Sequence, residues 1–442
     1  MTRTEKSAGI ALALIFALRM LGLFLILPVF RVHANEIPGG DNLTLVGIVL
    51  GAYGLTQSIF QIPFGIASDR FGRKPVIVAG LLLFALGSAV AALGPTIWWT
   101  IAGRVIQGAG AISAAVTAMA ADLTREQHRT KVMAMIGSSI GVVFALSLVT
   151  APVLYEWVGM AGLFWLTAFL SIGAIFVVRN MVPEPPPPQP GPKVRFTEVL
   201  SNAQLLRLNF GIFTLHATQM AMFVVVPALL VTAGHLPVEK HWQVYLPAVL
   251  LSFITMIPAI IAAERYGKSK PILIGTVMLL LITQGLFWHG RDGLWGLSLA
   301  LYVFFVAFNI LEASLPSLIS RIAPSRAKGA ALGVYNTTQA LGLFAGGACG
   351  GYLAKNFGAE SVFEACAALA AIWLGLAFSM KSPPRIAQRA VNLNTAADMD
   401  RIKALPGVLD ASLDADRHIA HLRVNLDLWD ERRARQIMGG KI

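Results

Sequence analysis

Gly65-Ile-Ala-Ser-Asp-Arg-Phe-Gly-Arg-Lys74 decides the fold of this chain, because it is a short charged stretch held between two long apolar runs. A stretch so placed reads as a turn at a membrane surface. Gly65 and Asp69 are four residues apart, so they stack on the last turn of the preceding helix. The glycine lets another backbone come close and leaves the Asp69 carboxylate beside it. Gly72 permits the turn that carries Arg70, Arg73 and Lys74.

The rest of the chain fits a membrane protein. Of 442 residues, 56% are hydrophobic and 13% charged, with a mean hydropathy of +0.68. Soluble domains carry about 25% charged residues. The net charge of +12 comes in short clusters between apolar runs, without the aromatic–basic interleaving of a nucleic-acid platform. Cys349 and Cys366 both lie in apolar runs, so no disulfide framework is implied. The first apolar run, 8–30, is longer than a signal-peptide core, lacks a clear A-x-A site and reads as retained. No nucleophile–base–orienter set, cofactor loop or metal-ligand cluster occurs, which argues against an enzyme.

About twelve apolar runs approach the ~20 residues that a bilayer needs. Basic residues such as Arg3, Lys6, Arg70, Arg73, Lys74, Arg125, Lys193, Arg265, Lys270, Arg321 and Lys381 gather on one side of them. Little beyond Arg31, Lys240, Arg291 and Lys355 falls on the other. The asymmetry places both termini in the cytoplasm, with an even number of spans, as in a bacterial inner membrane.

The opening stretch also recurs. Pro63-Phe-Gly-Ile-Ala-Ser-Asp-Arg-Phe-Gly-Arg-Lys-Pro75 matches Pro258-Ala-Ile-Ile-Ala-Ala-Glu-Arg-Tyr-Gly-Lys-Ser-Lys-Pro271 with one insertion. Glu264, Arg265 and Gly267 stand where Asp69, Arg70 and Gly72 stand in the first copy, and Ile260 replaces Gly65. Asp69 and Glu264 lie 195 residues apart, about six spans and a linker. Such a repeat predicts two six-helix halves around a central cavity. The divisions follow: 1–182 for the first half, 183–205 for a cytoplasmic linker, 206–384 for the second half and 385–442 for a tail.

The pattern G-x-x-x-D-R-x-G-R-K resembles the signature of the major facilitator superfamily of transporters, and within it the drug:proton antiporter group. The resemblance implies alternating access in an all-α membrane fold. It also implies a gating role for Gly65, Asp69, Arg70, Gly72, Arg73 and Lys74. In relatives the aspartate faces the N-terminal end of span eleven, whose helix dipole is partly positive. Here that role falls to Asp69, with Arg73 bridging to Asp122 at the end of span four. Arg104-Val-Ile-Gln-Gly-Ala-Gly110 resembles the R-x-x-Q-G-x-G motif of proton-coupled members. Gly342-Leu-Phe-Ala-Gly-Gly-Ala-Cys-Gly-Gly351 resembles the antiporter motif, though it lies on span eleven and has Gly347 where proline belongs.

Polar residues inside the spans supply the site candidates. Arg19 and Arg104 interrupt spans one and four, and such residues face a cavity or a partner. For Arg104 the alternative is a structural arginine bonded to carbonyls of span one. Glu312 is the one acid deep in a span, with Asn309 a turn before it. A carboxyl held away from water can take up and release a proton near neutral pH. Arg19, Arg104, Gln107 and Glu312 are therefore the proton-coupling candidates. Tyr53, Gln57, Gln61, His216, Gln219, Asn309, Asn336 and Gln339 are the cavity candidates. Their aromatic and apolar neighbours suit a lipophilic or amphiphilic solute. Tyr245 and Trp242 are read as anchors at the outer interface.

Pro183-Glu-Pro-Pro-Pro-Pro-Gln-Pro-Gly-Pro192 is a semi-rigid linker. After it comes a short amphipathic helix or an early start to span seven. The tail predicts the order βαββα, with a capping box at Thr395-Ala-Ala-Asp398 and a last helix over 428–438. It resembles a ferredoxin-like fold without its last strand, the YAM-type tail of some members. The tail has no cysteine, so a C-x-x-C metal site is excluded. The reading is a monomeric, proton-coupled efflux carrier of a small molecule in the lipid bilayer, without cofactor, metal or nucleic acid, and with a regulatory tail. An uncoupled or symporting carrier, or a sensor signalling through the tail, are its alternatives.

Overall fold

The structure, a computed structural model, describes residues 1–184, 196–323, 327–382, 386–392, 401–402, 404–414, 419–426 and 428–429. Helix α1 (Arg3–Phe24) opens on a capping box, in which Thr2 accepts from the Glu5 amide and the Glu5 side chain accepts from the Thr2 amide. It continues past a break as α2 (Leu27–His33), with Pro28 in the first turn. Asn42 caps α3 (Leu43–Phe71), which ends at Gly72. Then come α4 (Arg73–Leu93), α5 (Ile97–Ala109), α6 (Ser113–Asp122) and the long α7 (Glu126–Asn180). Gly159 bends α7 with φ 65°, a conformation that costs glycine nothing.

The chain resumes with the one-turn α8 (Phe196–Leu200), and Asn202 then caps a separate α9 (Ala203–Thr232). Span seven thus starts at its own cap and not inside the linker. The remaining rods are α10 (Trp242–Glu264), α11 (Ser269–Gly290), α12 (Leu294–Ile322), α13 (Lys328–Phe357) and α14 (Ala359–Phe378). Packing joins α1, α4 and α7, and α3 with α5, in one group. It joins α9 to α13 and α14, and α12 to α10 and α11, in another. The groups meet chiefly where α3 lies on α13.

Among the described residues, ten helical segments are long and apolar enough to cross a membrane. The sequence suggests about twelve, and two features explain the difference. Lys131–Asn180 runs as one rod of 50 residues through the Gly159 bend, where the hydropathy separates two spans. Glycines and the polar run Asn336-Thr-Thr-Gln339 dilute the apolar content of α13. Large apolar side chains on the outer faces, among them Ile59, Val142, Phe169 and Ile254, are exposed as lipid contact requires. Trp98, Trp157 and Trp295 are exposed at the end away from Gly65–Lys74, the level tryptophan prefers at a membrane interface. Trp242 is partly exposed near that end, but Tyr245 is fully buried beside His241 and is not a surface anchor.

In the tail, β1 (Ile386–Asn392), β2 (Val408–Asp414) and β3 (Ile419–Asn425) form one sheet in the order β1-β3-β2. Both neighbouring pairs are antiparallel, with Ala387 opposite Val424 and Ala411 opposite Leu422. Ala420, Leu422 and Val424 alternate onto one face and bury against Ile402 and Leu405. The capping box at Thr395 and most of the last expected helix lie outside the described residues.

Candidate functional site

Gly72 adopts φ 94° and Gly267 φ 68°, so both copies of the repeated motif turn through the left-handed region. At the first turn Arg73 is buried and serves three partners. Its Nε donates to Asp122 Oδ2 at 2.9 Å, and its Nη1 donates to Ser68 Oγ at 2.8 Å and to Asp69. Asp122 thus meets Arg73, as the family resemblance implies. Asp69 itself is 66% exposed, and among the described residues its partner is Arg73, not the start of α13. Arg70 packs over the Phe71 ring, and Lys74 donates to Glu184 Oε1 at 2.7 Å, tying the turn to the start of the linker. Arg265 caps α10 by its backbone. In the second half the charges are exchanged: Glu264 lies 3.6 Å from Arg321, which holds on α12 the place that Asp122 holds on α6.

The arginines inside the spans converge on one tyrosine. Arg19 Nη1 donates to Ser113 Oγ at 3.1 Å, and Nη2 donates to the Tyr53 hydroxyl. Arg104 Nε donates to the Val49 carbonyl of α3 at 3.3 Å, and its Nη1 to Gln107 Oε1 at 2.9 Å. Gln107 in turn donates to Ser88 Oγ at 2.7 Å. Both guanidinium carbons lie over the Tyr53 ring, at 5.6 and 5.2 Å from its centroid. All three side chains are buried, and among the described residues neither arginine has a carboxylate partner. Cation–π contact and hydrogen bonds take its place. The R-x-x-Q motif thus folds into a hydrogen-bonded brace in which Gly108 lets α5 rest on the Tyr53 carbonyl.

The acid candidate sits in the other group of helices. Glu312 on α12 accepts from Gln339 Nε2 of α13 at 3.3 Å, and its second oxygen lies 3.7 Å from His216 Nε2 of α9. His216 Nδ1 donates to the Ile212 carbonyl at 3.3 Å, so Nε2 is left to accept from Gln339 at 2.7 Å. The Glu312 side chain is 36% exposed, yet among the described residues its buried Oε2 has no hydrogen-bond partner, and neither has the Tyr335 hydroxyl. Asn309 faces away from this trio and donates to Ser252 Oγ at 2.9 Å. The Phe308 ring stacks edge-on to His216 at 5.6 Å and lies 5.9 Å from Phe144 of α7, a contact between the two helix groups. Gln61 and Gln219 are buried, Gln61 with its whole amide unpartnered among the described residues, while Gln57 and Asn336 are half-buried.

The glycines explain which end is shut. Gly47, Gly51 and Gly54 recur on one face of α3 against Ala340, Phe344, Gly347 and Gly351 of α13. A Cβ on Gly47 would overlap the Gly347 carbonyl oxygen, and one on Gly51 would reach the Phe344 Cα at 2.8 Å. A second stripe on α13, Gly342, Gly346 and Gly350, lies on Phe213, Ala217 and Ala221 of α9. The glycines of the antiporter-like motif therefore seat α13 between two neighbours. Toward the Gly65–Lys74 end the seam is gone. Among the described residues, Cβ atoms on Gly329 and Gly333 would meet nothing within 4 Å, and Ile66 and Phe71 are exposed. The i, i+4, i+7 spacing of Gly47, Gly51 and Gly54 is the signal of this seam in the sequence.

The profile of the Major Facilitator Superfamily matches residues 12–347 and 239–409. The chain is 42% identical over 435 residues to the inner membrane transport protein YajR of Escherichia coli K12, covering 96% of this chain and 95% of that one. It is 28% identical to the multidrug resistance protein MdtH of Proteus mirabilis, with 75% and 82% covered. It is 33% identical to the class B tetracycline resistance protein of Escherichia coli, over only 39% and 43%. The crystal structure of a D-xylose–proton symporter superposes with a TM-score of 0.70 at 16% identity, covering 86% of this chain and 98% of the other. Fold, repeated motif and relatives together make this chain a membrane transporter that belongs to the Major Facilitator Superfamily.

Proposed function

We propose that the chain is a proton-coupled secondary transporter of twelve spans that exports a lipophilic or amphiphilic small molecule by alternating access. The observation that carries this reading is the unequal closure of α3 and α13, sealed glycine-on-backbone at the Asn42 end and parted at the Gly65–Lys74 end. With both termini in the cytoplasm of a bacterial inner membrane, the parted end faces the cytoplasm and this is the inward-open state. The Gly159 bend divides α7 into two spans, and α13 is the eleventh of twelve. In the opposite state, closure of the cytoplasmic end brings Asp69 to the start of α13, where the helix dipole favours it. Arg73 and Asp122 hold that turn ready meanwhile. Resistance proteins among the relatives support export over uptake.

Glu312 is the proton-binding group in this account, with Gln339 reaching both its carboxylate and His216. Arg19 and Arg104 brace Tyr53 and shape the cavity wall, since among the described residues no acid pairs with either for a direct part in coupling. The cavity candidates Gln57, Gln61, Gln219, Asn309 and Asn336 contribute the polar part of an otherwise apolar lining. The tail is a regulatory ferredoxin-like unit, supported by its sheet order, in which β3 lies between β1 and β2 as in a split βαβ unit. The test is a reconstituted proteoliposome with an imposed pH gradient and a panel of fluorescent amphiphiles. The wild type should move a substrate only when the gradient is present, and Glu312→Gln should abolish that dependence. Flux that ignores the gradient would leave an uncoupled carrier.

A further inference from the structure

Three helices meet at the His216 ring. His216 lies on α9 and is 5% exposed, Glu312 comes from α12, and Gln339 comes from α13. The Ile212 carbonyl can only accept, so His216 Nδ1 carries the proton and the neutral ring keeps a single lone pair, on Nε2. Gln339 Nε2 takes that lone pair at 2.7 Å and gives its second hydrogen to Glu312 Oε1 at 3.3 Å. Both partners are acceptors, which fixes the amide with its nitrogen toward them. Glu312 Oε2 lies 3.7 Å from the same His216 Nε2, buried and without a hydrogen-bond partner among the described residues. Two acceptors cannot bond each other, and a proton on Oε2 turns that pair into a donor and an acceptor.

Proton uptake therefore creates a conflict. The imidazole nitrogen has one lone pair, which Gln339 already holds, and a Glu312 hydroxyl would compete for it. Few other ionisable groups stand near. Apart from His216, α9 carries none beyond Arg207. Helix α10 carries Tyr245 and Glu264 near its ends, α11 only Lys270 and His289 at its ends, and α13 only Tyr335 and Cys349 between Lys328 and Tyr352. Helix α7 meets Phe308 through Phe144 and has none between Lys131 and Tyr155. Glu264 pairs with Arg321. Tyr335, one turn before Gln339, is within electrostatic range of Glu312 and is the rival acceptor for its proton. Gln339 also adjoins the gate: it precedes Ala340, whose carbonyl oxygen is 2.4 Å from where a Cβ on Gly54 would stand, at the inner end of the α3–α13 seam.

We infer that His216 is a positioning residue for proton coupling: protonated Glu312 donates from Oε2 to His216 Nε2, Gln339 is released from the ring, and α13 is freed at the inner end of its seam with α3. The inference rests on Glu312 as the proton-binding group and adds how proton uptake reaches the gate helix. The proton stays on Glu312, and only hydrogen bonds are exchanged. The test is infrared pH-difference spectroscopy of the purified full chain in phosphatidylcholine nanodiscs. The wild type should show a protonated-carboxyl band that is missing in Glu312→Gln. His216→Leu removes the acceptor, so the band should change frequency and its pH midpoint should fall by about 0.5–1 unit. Gln339→Met removes the competitor, so the midpoint should rise by a similar amount. Gln339 is half-buried and methionine conserves its volume, so this variant tests the exchange even if His216→Leu does not fold. With spin labels at Phe71→Cys and Tyr266→Cys, Gln339→Met at neutral pH should already show the distance change that acid produces in the wild type. An unmoved distance would sever the exchange from α13 and overturn it. So would a band and midpoint unaltered in both variants, or a band that moves in Tyr335→Phe and not in His216→Leu. A wild type without the Glu312 band would remove the proton-binding reading itself, and the exchange with it.

Discussion

Replacing Gly47 by valine should drive the transporter out of the conformation described above. The Cβ alone would overlap the Gly347 carbonyl oxygen, and the reciprocal Cβ on Gly347 would overlap that of Gly47. The obstructing atoms are backbone, so no side chain can turn aside. The helices must part, and the relief must extend along the seam, because the Gly51 Cβ position is already 2.8 Å from the Phe344 Cα. Overpacking of this kind costs about 1–3 kcal/mol. Only the state that holds the seam bears the cost, so the equilibrium should move toward the opposite state by a factor of roughly 5 to 150. The assay is pulsed electron resonance between spin labels at Phe71→Cys and Tyr266→Cys, with Cys349 and Cys366 replaced by serine. Phe71 and Tyr266 are exposed at the parted end, one on each helix group. Gly47→Val should enlarge the short-distance population. Gly137→Val, where a Cβ meets nothing within 4 Å among the described residues, should not. A distance distribution identical to that of the parent protein would refute the seam as a gate.

Three further outcomes follow from the same geometry. Arg73→Ala leaves Asp122 and Ser68 without their shared partner and should lower stability by about 1–3 kcal/mol, read as a lower thermal midpoint in detergent. Asp69→Asn should leave that midpoint nearly unchanged, since Asp69 is exposed in this state, but should slow transport and alter its pH dependence. A normal rate with an unchanged pH profile would remove Asp69 from the latch. Gly159→Ala should cost about 1–3 kcal/mol through backbone strain alone, because among the described residues nothing lies within 4 Å of the added carbon.

The parts of this fold that depend on local chemistry were legible in the sequence. Gly72 and Gly267 mark turns because few other residues take their φ, and the acid–Arg–aromatic–Gly order exposes the repeat. Arg73 and Asp122 were paired through the family resemblance. What local pattern could not disclose was which polar groups meet across the bundle. Glu312, Gln339 and His216 stand on three helices, and their sequence separations of 27 and 123 residues carry no periodic signal. Arg19 and Arg104 read as proton-coupling candidates, but their spacing gives no sign that both meet Tyr53. Tyr245 has the composition of an interface anchor but is buried, because burial depends on the neighbouring helices and not on the residue. The span count differs for a related reason: hydropathy divides α7 at a bend the backbone passes through, and glycines chosen for close packing lower the apolar content of α13.

The most direct test of proton-coupled alternating access is a paired distance measurement as pH is changed. One label pair, at Phe71 and Tyr266, reports the parted end. A second, at Asp41 and Lys355, which are both exposed, reports the sealed end. Acidification should shift the two distance distributions in opposite senses in the wild type and should leave both unmoved in Glu312→Gln. Two ends that open together, or a shift that survives in Glu312→Gln, would contradict the account.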